Sequence, residues 1–283
     1  MRAGREGVTA PSGDPGRVSL RAGRNMPGEG EENMPVQARG PSKTSVRKAG
    51  STIRRYARGE SSTDEFHTAL EIVSDYRATF SAPLVKVNNG LRGFLRTLGI
   101  HAEVTQRLKR MDTIVEKLSE RETRLSLDRM GDIGGCRVVL ENDEISALYA
   151  LDEHIRLRWS DAFVRKKDYI TAPRESGYRA IHLLVERDGR LIEIQLRTAN
   201  MHIWAELVEA MSQQFGRNFK QDGGHHPVDE FARSLSEVYQ AIDRGEEPSE
   251  EIIADLTRWQ AVLDVMLSES ARDDEETEAN NGE

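Results

Sequence analysis

The chain has 283 residues, with 40 Lys and Arg against 48 Asp and Glu, and a formal net charge of −8 at pH 7. This acidic balance argues against broad affinity for nucleic acids. No apolar run approaches the roughly 20 residues that a membrane-spanning helix requires. Cys136 is the single cysteine, which excludes an intramolecular disulfide and any metal site built from several cysteines. We therefore expect a soluble, cytoplasmic protein.

The N-terminal part of the chain divides into two segments. Residues 1–45 are rich in Gly, Pro, Arg and Ser and show no helical or strand period, so we predict that they are disordered. A start of translation at Met26 or Met34 explains this segment equally well. Residues 46–100 are predicted to form a helical extension, because apolar residues recur there at helical spacing. These residues are Phe66, Leu70, Val73, Leu84, Val87, Leu91, Phe94 and Leu95.

A further helix is predicted over residues 102–120. Its apolar side would consist of Val104, Leu108, Met111, Val115 and Leu118. Arg107 and Arg110 are three residues apart, and Lys117 follows seven residues after Arg110, so these cations would share one helix face. A solvated basic helix face is the alternative to a binding role for them.

Four strands are predicted in the middle of the chain, where short β-branched or alternating runs occur. The runs are 135–140, 162–169, 179–186 and 191–197, with a crossover helix at 144–159 between the first two. Asp188-Gly189 marks a tight hairpin turn between the last two strands. Further helices are predicted over 201–215, 228–242 and 250–267, and an acidic, frayed tail over 271–283. This order predicts an α+β fold, a mixed β-sheet flanked by helices.

Two carboxylates lie beside predicted strands. Asp132 precedes the first strand, and Glu193 lies between Ile192 and Ile194 in the last strand, so alternation places it opposite these apolar neighbours. Phosphoryl transfer needs carboxylates that hold Mg²⁺ and cations that neutralise phosphates. A turn or cap residue is the alternative for Asp132, and an exposed strand position is the alternative for Glu193.

A basic predicted strand and a glycine-containing loop contain further candidate site residues. The strand reads Arg165-Lys166-Lys167-Asp168, and the loop runs from Pro173 to Arg179. Tyr178 follows Gly177, whose backbone freedom allows a close approach to a ligand. His182 alternates with apolar neighbours. A buried core tyrosine and a packed strand histidine are the alternatives for these two residues.

These blocks, in this order, resemble the synthetase domain of the RelA/SpoT family over roughly Val104 to Ala210. The resemblance implies a nucleotidyltransferase-like fold for residues 101–216, followed by C-terminal helices over 217–270. It also implies the transfer of pyrophosphate from ATP to the 3′-hydroxyl of GDP or GTP, with Mg²⁺ as cofactor. Small members of the family often assemble as tetramers, so the resemblance suggests a homo-oligomer.

The resemblance assigns roles to individual residues of this chain. Asp132 and Glu193 would be the catalytic and metal-binding carboxylates, and Glu193 would help to activate the acceptor hydroxyl. The ATP-binding residues would be Arg107, Lys109, Arg110, Lys117 and Arg137. Tyr178 would stack on the guanine base of the acceptor. The acceptor-binding set would comprise Arg165, Lys167, Arg174, Tyr178, Arg179, His182, Gln195 and Arg197.

Three functions stay open from the sequence. The chain contains no His-Asp dipeptide and no P-loop motif, so it resembles a small alarmone synthetase without the hydrolase half of large family members. A toxin-type relative that pyrophosphorylates the 3′ end of tRNA is the second reading. A local basic patch could serve that function: Arg47, Lys48, Arg54, Arg55 and Arg58. An inactive, binding-only relative is the third, and the presence of both Asp132 and Glu193 counts against it.

Overall fold

The computed structural model describes residues 40–121, 124–220 and 224–280, with side chains described up to residue 268. Most of the segment predicted to be disordered, 1–45, lies outside the described residues. The helices are α1 (Lys43–Ala57), α2 (Thr63–Ala78), α3 (Ser81–Leu98), α4 (Met111–Glu116), α5 (Ile145–Arg158), α6 (Ala199–Gln214), α7 (Pro227–Asp243) and α8 (Glu250–Asn280). None of these described helices is long and apolar enough to cross a lipid bilayer.

Five strands form one mixed sheet, which confirms the predicted fold class. They are β1 (Ala102–Leu108), β2 (Gly134–Leu140), β3 (Phe163–Asp168), β4 (Ile181–Arg187) and β5 (Arg190–Arg197). Their order in the sheet is β1-β2-β5-β4-β3. The β2–β5 pair is parallel, and α5, β3 and β4 supply the long connection that a parallel pair needs. The other pairs are antiparallel.

The hairpin turn between β4 and β5 is confirmed. Asp188 and Gly189 have φ angles of 51° and 71°, the left-handed conformation that both central residues of a type I′ hairpin turn adopt. This turn sets the register of the β4–β5 pair, in which Arg187 lies opposite Arg190 and His182 lies opposite Gln195. The turn therefore decides which side chains of β4 lie beside Glu193 and its neighbours.

The predicted helix over 102–120 is wrong in its first half. Residues 102–108 form β1, which pairs antiparallel with β2 over its whole length, and only Met111–Glu116 is α-helical, followed by a π-helical turn at Lys117–Arg121. Val104 and Leu108 are four residues apart, a spacing that fits one helix face and also one strand face. Arg107 therefore lies on a strand, and Arg110 caps α4, so the two do not share a helix face.

The C-terminal boundary also differs from the prediction. The last helix was expected to end near Leu267, yet α8 continues to Asn280. The acidic sequence from Ser268 to Asn280 contains neither Gly nor Pro, so no helix-breaking residue ends the helix there.

The two faces of the sheet differ in chemistry. One face buries alternate apolar residues against α3 and α5, including Val138, Leu183, Ile192 and Ile194, and the same larger cluster continues into α1 and α2. The opposite face carries the polar side chains of the strands. A second apolar cluster, formed by α6, α7 and α8 with Tyr178 and Ala180, packs at the end of that face. The C-terminal helices thus lie next to the polar face rather than behind the sheet.

Candidate active site

Strand register brings most of the predicted site residues onto the polar face. One row across the sheet contains Arg107, Gly135, Glu193, Leu184 and Arg165. The adjacent row contains Thr105, Arg137, Gln195, His182 and Lys167. Side chains opposite each other or two residues apart along a strand lie on the same face. Arg197, two residues after Gln195, continues this face towards the loop that precedes β4.

Asp132 lies at one end of the polar face, where two lysines contact it. Its Oδ2 accepts hydrogen bonds from Lys109 Nζ at 3.1 Å and Lys117 Nζ at 2.9 Å. Its Oδ1 is buried and has no hydrogen-bond partner, which is unfavourable for a carboxylate oxygen unless a ligand completes the site. Lys109 is held there because its backbone N–H donates to Ile133 O at 2.8 Å. The predicted ATP-binding lysines therefore converge on the predicted metal ligand.

Five side chains form a closed hydrogen-bonded ring at the centre of the polar face. Arg197 Nη2 donates to Tyr178 Oη at 3.0 Å and to Gln195 Oε1 at 2.9 Å. Tyr178 Oη lies 2.6 Å from His182 Nε2, and His182 Nδ1 lies 3.0 Å from Glu193 Oε1. Gln195 Nε2 donates to Glu193 Oε2 at 3.0 Å, which closes the cycle. We call these five residues the Glu193 ring.

The ring keeps Glu193 ionised. Burial by itself would raise the pKa of Glu193, but the hydrogen bond and charge of His182, the hydrogen bond from Gln195 and the charge of Lys117 outweigh it and lower the pKa to about 2. Lys117 also contacts Asp132, so one ammonium group acts on both predicted catalytic carboxylates. The two carboxylates thus belong to a single electrostatic site.

The loop predicted to bind the acceptor is held by the C-terminal helices. Ser176 Oγ donates to Lys220 O at 3.0 Å, and Ser236 Oγ of α7 donates to Gly177 O at 2.5 Å. Arg179 donates to the backbone carbonyl of Ser236, and its Nη2 donates to Gln240 Oε1 at 2.7 Å. The Arg179 guanidinium therefore binds α7, apart from the other predicted acceptor residues.

The remaining predicted cations occupy different environments. Arg174 lies over the Tyr169 ring at 4.8 Å and over the Tyr178 ring at 5.7 Å. Arg165 and Lys167 are exposed on the edge strand β3. Arg110 is also exposed and lies 3.7 Å from Asp112, the acid that follows it in the chain. Arg174, Arg165 and Lys167 thus face the site, whereas no hydrogen bond or ion pair between the described residues fixes Arg110 to it.

Lys220 is a cation of the polar face that the sequence analysis missed. Its Nζ lies 3.0 Å from Glu209 Oε2, and burial together with the charges of Arg197 and Arg137 lowers its pKa to about 8 although Glu209 opposes the shift. Burial, followed by the charge of Arg197, likewise lowers the pKa of Arg137. No local pattern marks Lys220, because it follows a polar segment after α6 and reaches the site through the tertiary fold.

The donor set fits Mg²⁺ as a cofactor shared with a substrate. Among the described residues, no three His, Cys, Asp or Glu side chains cluster closely enough to hold a metal by themselves. Mg²⁺ is usually held by one or two carboxylates together with phosphate oxygens and water. Asp132, with its unpaired Oδ1, and Glu193 are the side chains that would contribute these carboxylates.

The lowered pKa of Glu193 predicts a pH-dependent stability. Because the folded-state pKa lies below the ordinary value of 4.5, Glu193 stabilises the fold above about pH 4.5, and this contribution is lost as the pH falls towards 2. Its full size is on the order of 3 kcal/mol. Urea unfolding at several pH values should show that Glu193→Gln is less stable than the natural protein at pH 7 and that the difference shrinks in acid. The exposed Glu186→Gln on β4 should show no such trend, and a constant deficit for Glu193→Gln would contradict the assignment.

Gly177 provides a test of the contact between the loop and α7. Its φ is 88°, and an added Cβ would lie 2.9 Å from Ser236 Cβ and 3.3 Å from Ala232 O. Gly59 also has a positive φ, 74°, but an added Cβ there would meet nothing within 4 Å. We expect Gly59→Ala to lower the free energy of unfolding by about 1–2 kcal/mol and Gly177→Ala to lower it further. Equal losses in urea titrations would contradict the packing of α7 on this loop.

Part of the chain is similar to known proteins. Residues 106–215 match the family model described as the region found in RelA/SpoT proteins. The chain is 35 % identical over 120 residues to a GTP pyrophosphokinase of Escherichia coli (strain K12), which covers 41 % of this chain and 15 % of that protein. It is 24 % identical over 196 residues to a guanosine-3′,5′-bis(diphosphate) 3′-pyrophosphohydrolase of Vibrio cholerae, which covers 68 % of this chain and 27 % of that protein. The chain thus spans less than a third of either relative.

A solved structure is also similar. The crystal structure of small alarmone synthetase 1 from Bacillus subtilis bound to its product pppGpp has a TM-score of 0.49 and 25 % sequence identity, covering 59 % of this chain and 93 % of that one. The matched residues 106–215 include β2 to α6 and contain both predicted catalytic carboxylates, Asp132 just before β2 and Glu193 in β5. The similarity to RelA/SpoT proteins therefore covers residues 106–215 of this chain.

Proposed function

We propose that this protein transfers pyrophosphate from ATP to the 3′-hydroxyl of GDP or GTP and so makes ppGpp or pppGpp. The observation that carries the proposal is the pairing of Asp132, flanked by two lysines, with an ionised Glu193 on one cationic sheet face. Such transfer depends mainly on positioning and on neutralising phosphate charge, and this face supplies groups for both. The synthetase-only activity, the cytoplasmic location and the tetrameric assembly stay predictions.

The donor triphosphate would bind at the end of the sheet that carries Asp132. Lys109 and Lys117 would exchange part of their interaction with Asp132 for phosphate oxygens, and Arg107 and Arg137 extend the cationic surface along the neighbouring strands. Bound Mg²⁺ would neutralise and orient phosphate oxygens. Lys side chains act as point charges for phosphates, whereas Arg offers paired donors. The mixture suits a ligand with several phosphates.

Glu193 would orient the acceptor hydroxyl rather than remove its proton early. A carboxylate with a pKa of about 2 is a weak base, because an effective general base has a pKa near the working pH. The transition state of phosphoryl transfer is loose in most treatments, and the nucleophile then needs little activation. Each Glu193 oxygen accepts one hydrogen bond within the ring, so lone pairs remain that can accept a bond from the hydroxyl.

The acceptor phosphates would meet the cations on the other side of Glu193. Arg165 and Lys167 lie exposed on β3, in the rows that contain Glu193 and His182. Arg174 adds a guanidinium above Tyr169. The proposal thus places donor and acceptor phosphates on opposite sides of Glu193. The acceptor hydroxyl can then attack the β-phosphorus of ATP from the side opposite the bond to AMP, which leaves.

The direct test incubates the purified protein with Mg²⁺, ATP labelled in its β- and γ-phosphates, and one acceptor, which is GDP, GTP or deacylated tRNA. The label transferred to the acceptor is then measured. We expect labelled ppGpp and pppGpp from the natural protein and at least about 100-fold less from Asp132→Asn, because the substitution removes a charge that the metal and the lysines need. Asp75→Asn, at an exposed position of α2, serves as the control and should retain activity. Absence of product with both guanine nucleotides would contradict the proposal.

A second experiment separates the nucleotide acceptor from tRNA. Four of the five basic residues on α1 already have partners, such as Arg47 with Asp128 at 2.8 Å and Arg54 with Leu125 O at 2.8 Å. Arg47, Arg54 and Arg55 contact other parts of the fold, whereas Arg58 pairs with Glu60 two residues later. Charge reversal is therefore restricted to Lys48 and Arg58, which are both exposed. With a free nucleotide as acceptor, we expect the double Lys48→Glu/Arg58→Glu variant to match the natural protein and the exposed control Arg96→Glu. A steep loss of tRNA labelling with a weaker salt dependence would favour the tRNA reading.

A further inference from the structure

Lys109 is joined to the rest of the fold at three of its atoms. Its backbone N–H donates to Ile133 O at 2.8 Å, which continues the pairing of β1 with β2 one residue beyond Leu108. Its ammonium group donates to Asp132 Oδ2 at 3.1 Å. Its backbone carbonyl accepts a hydrogen bond from Arg77 Nε at 2.7 Å. Two of these bonds come from the segment just before β2, and the third comes from α2.

The Lys109 carbonyl lies at the junction between β1 and α4, and α4 does not use it. The N–H of Thr113, four residues later, donates instead to Asp112 Oδ1 at 2.8 Å, and the N–H of Ile114 donates to Arg110 O at 3.0 Å. A part-buried carbonyl needs a hydrogen-bond donor, and the guanidinium from α2 supplies one that carries a charge and therefore binds more strongly than a neutral donor. This bond fixes the main chain where the strand ends and the helix begins.

The C-terminal end of α2 is itself anchored to the sheet. Thr79, which follows α2, accepts a hydrogen bond from Arg190 Nε at its Oγ1 at 2.7 Å. The Arg190 guanidinium also lies 5.3 Å from the centre of the Tyr76 ring. Arg190 is the first residue of β5, the strand that carries Glu193. The same end of α2 thus contacts the strand of Glu193 and the main chain of Lys109.

We propose that Arg77 is a positioning residue for the donor triphosphate, which holds the main chain of Lys109 so that the ammonium group lies beside Asp132. The lysine stem is flexible, so the place of the ammonium group depends on a fixed backbone. When donor phosphates replace part of the contact with Asp132, the two backbone bonds of Lys109 still hold it in place. The inference rests on the proposed function, and it assigns a role to a residue outside 106–215, the part similar to RelA/SpoT proteins.

Two substitutions of Arg77 separate its hydrogen bond from its charge. Arg77→Met removes both, whereas Arg77→Gln removes the charge but places an amide N–H near the position of Nε. We expect Arg77→Met to raise the KM for ATP about 10-fold, a usual size for the loss of a hydrogen bond from a charged donor, and to leave the KM for GDP within about twofold. Arg77→Gln should keep most of the affinity for ATP. Equal effects of the two substitutions, or equal rises of the two KM values, would overturn the inference.

Arg92→Met is the matched control. Arg92 lies on α3 and donates from Nη2 to Val104 O at 2.7 Å, so it also joins a helix to a backbone carbonyl of β1, but far from the end that leads to Lys109. We expect its loss to lower the thermal unfolding temperature about as much as Arg77→Met does, and to leave the KM for ATP within about twofold. A rise in the KM for ATP of the same size in Arg92→Met would indicate a general loss of structure and overturn the inference.

Amide hydrogen exchange tests the contact without any activity. The Lys109 N–H donates to Ile133 O, so its exchange with solvent is slow while the end of β1 stays in place. We expect Arg77→Met to speed this exchange at least about fivefold and Arg92→Met to leave it within about twofold. Unchanged Lys109 exchange in Arg77→Met would overturn the inference. If the natural protein transfers no pyrophosphate, the proposed function fails, and the exchange rates together with the equilibrium Kd for ATP still decide the role of Arg77.

Discussion

A buried guanidinium and a carboxylate that never touch each other organise the polar face of this protein. Arg197 is 2 % exposed, and an isolated charge at such a position would be strongly unfavourable. Its Nη2 transmits the interaction to Glu193 through Tyr178 and His182 on one side and Gln195 on the other. Breaking one member of such a network usually destabilises more than its single hydrogen bond suggests, because the others lose their partners.

The ring depends on segments distant in sequence. Strand register places His182 beside Gln195, and the glycine loop supplies Tyr178. That loop is in turn held by Ser236 and Gln240 of α7, which begins at Pro227 and lies beyond the matched region 106–215. The C-terminal helices therefore belong to the structural support of the site. Trp204 of α6 joins them, since its Nε1 donates to Ala232 O at 2.7 Å.

The described structure also separates two kinds of charge on the polar face. Lysines surround Asp132, where they stay exchangeable because each is a single charge on a flexible stem. Arginines with hydrogen bonds from their Nη atoms to other side chains, such as Arg197 and Arg179, lie in the buried part of the site beside α6 and α7. This division fits a site in which substrates replace lysine contacts while the arginine contacts maintain the architecture.

The sequence predicted most of the helices and strands but little of how they contact one another. Alternation predicted β2 to β5 with small shifts at their ends, and Asp188-Gly189 predicted the turn, because both signals are local. The spacing of Val104 and Leu108 fitted helix and strand alike, so only pairing with β2 decided that residues 102–108 are a strand. Because of this pairing, Arg107 lies in the same row of the sheet as Glu193 and not on the predicted helix face.

The sequence likewise named the residues of the candidate site but did not assign them partners. Asp132 and Glu193 stand out through their motifs, whereas Lys220 reaches Glu209 and the neighbourhood of Arg197 only through the chain path after α6. Arg179 looked like another phosphate-binding cation, yet it binds α7. Local sequence fixes which chemical groups are available, because side-chain chemistry and strand periodicity are local properties. Tertiary structure decided which groups meet and which are buried, because hydrogen bonds and burial depend on segments far apart in the chain.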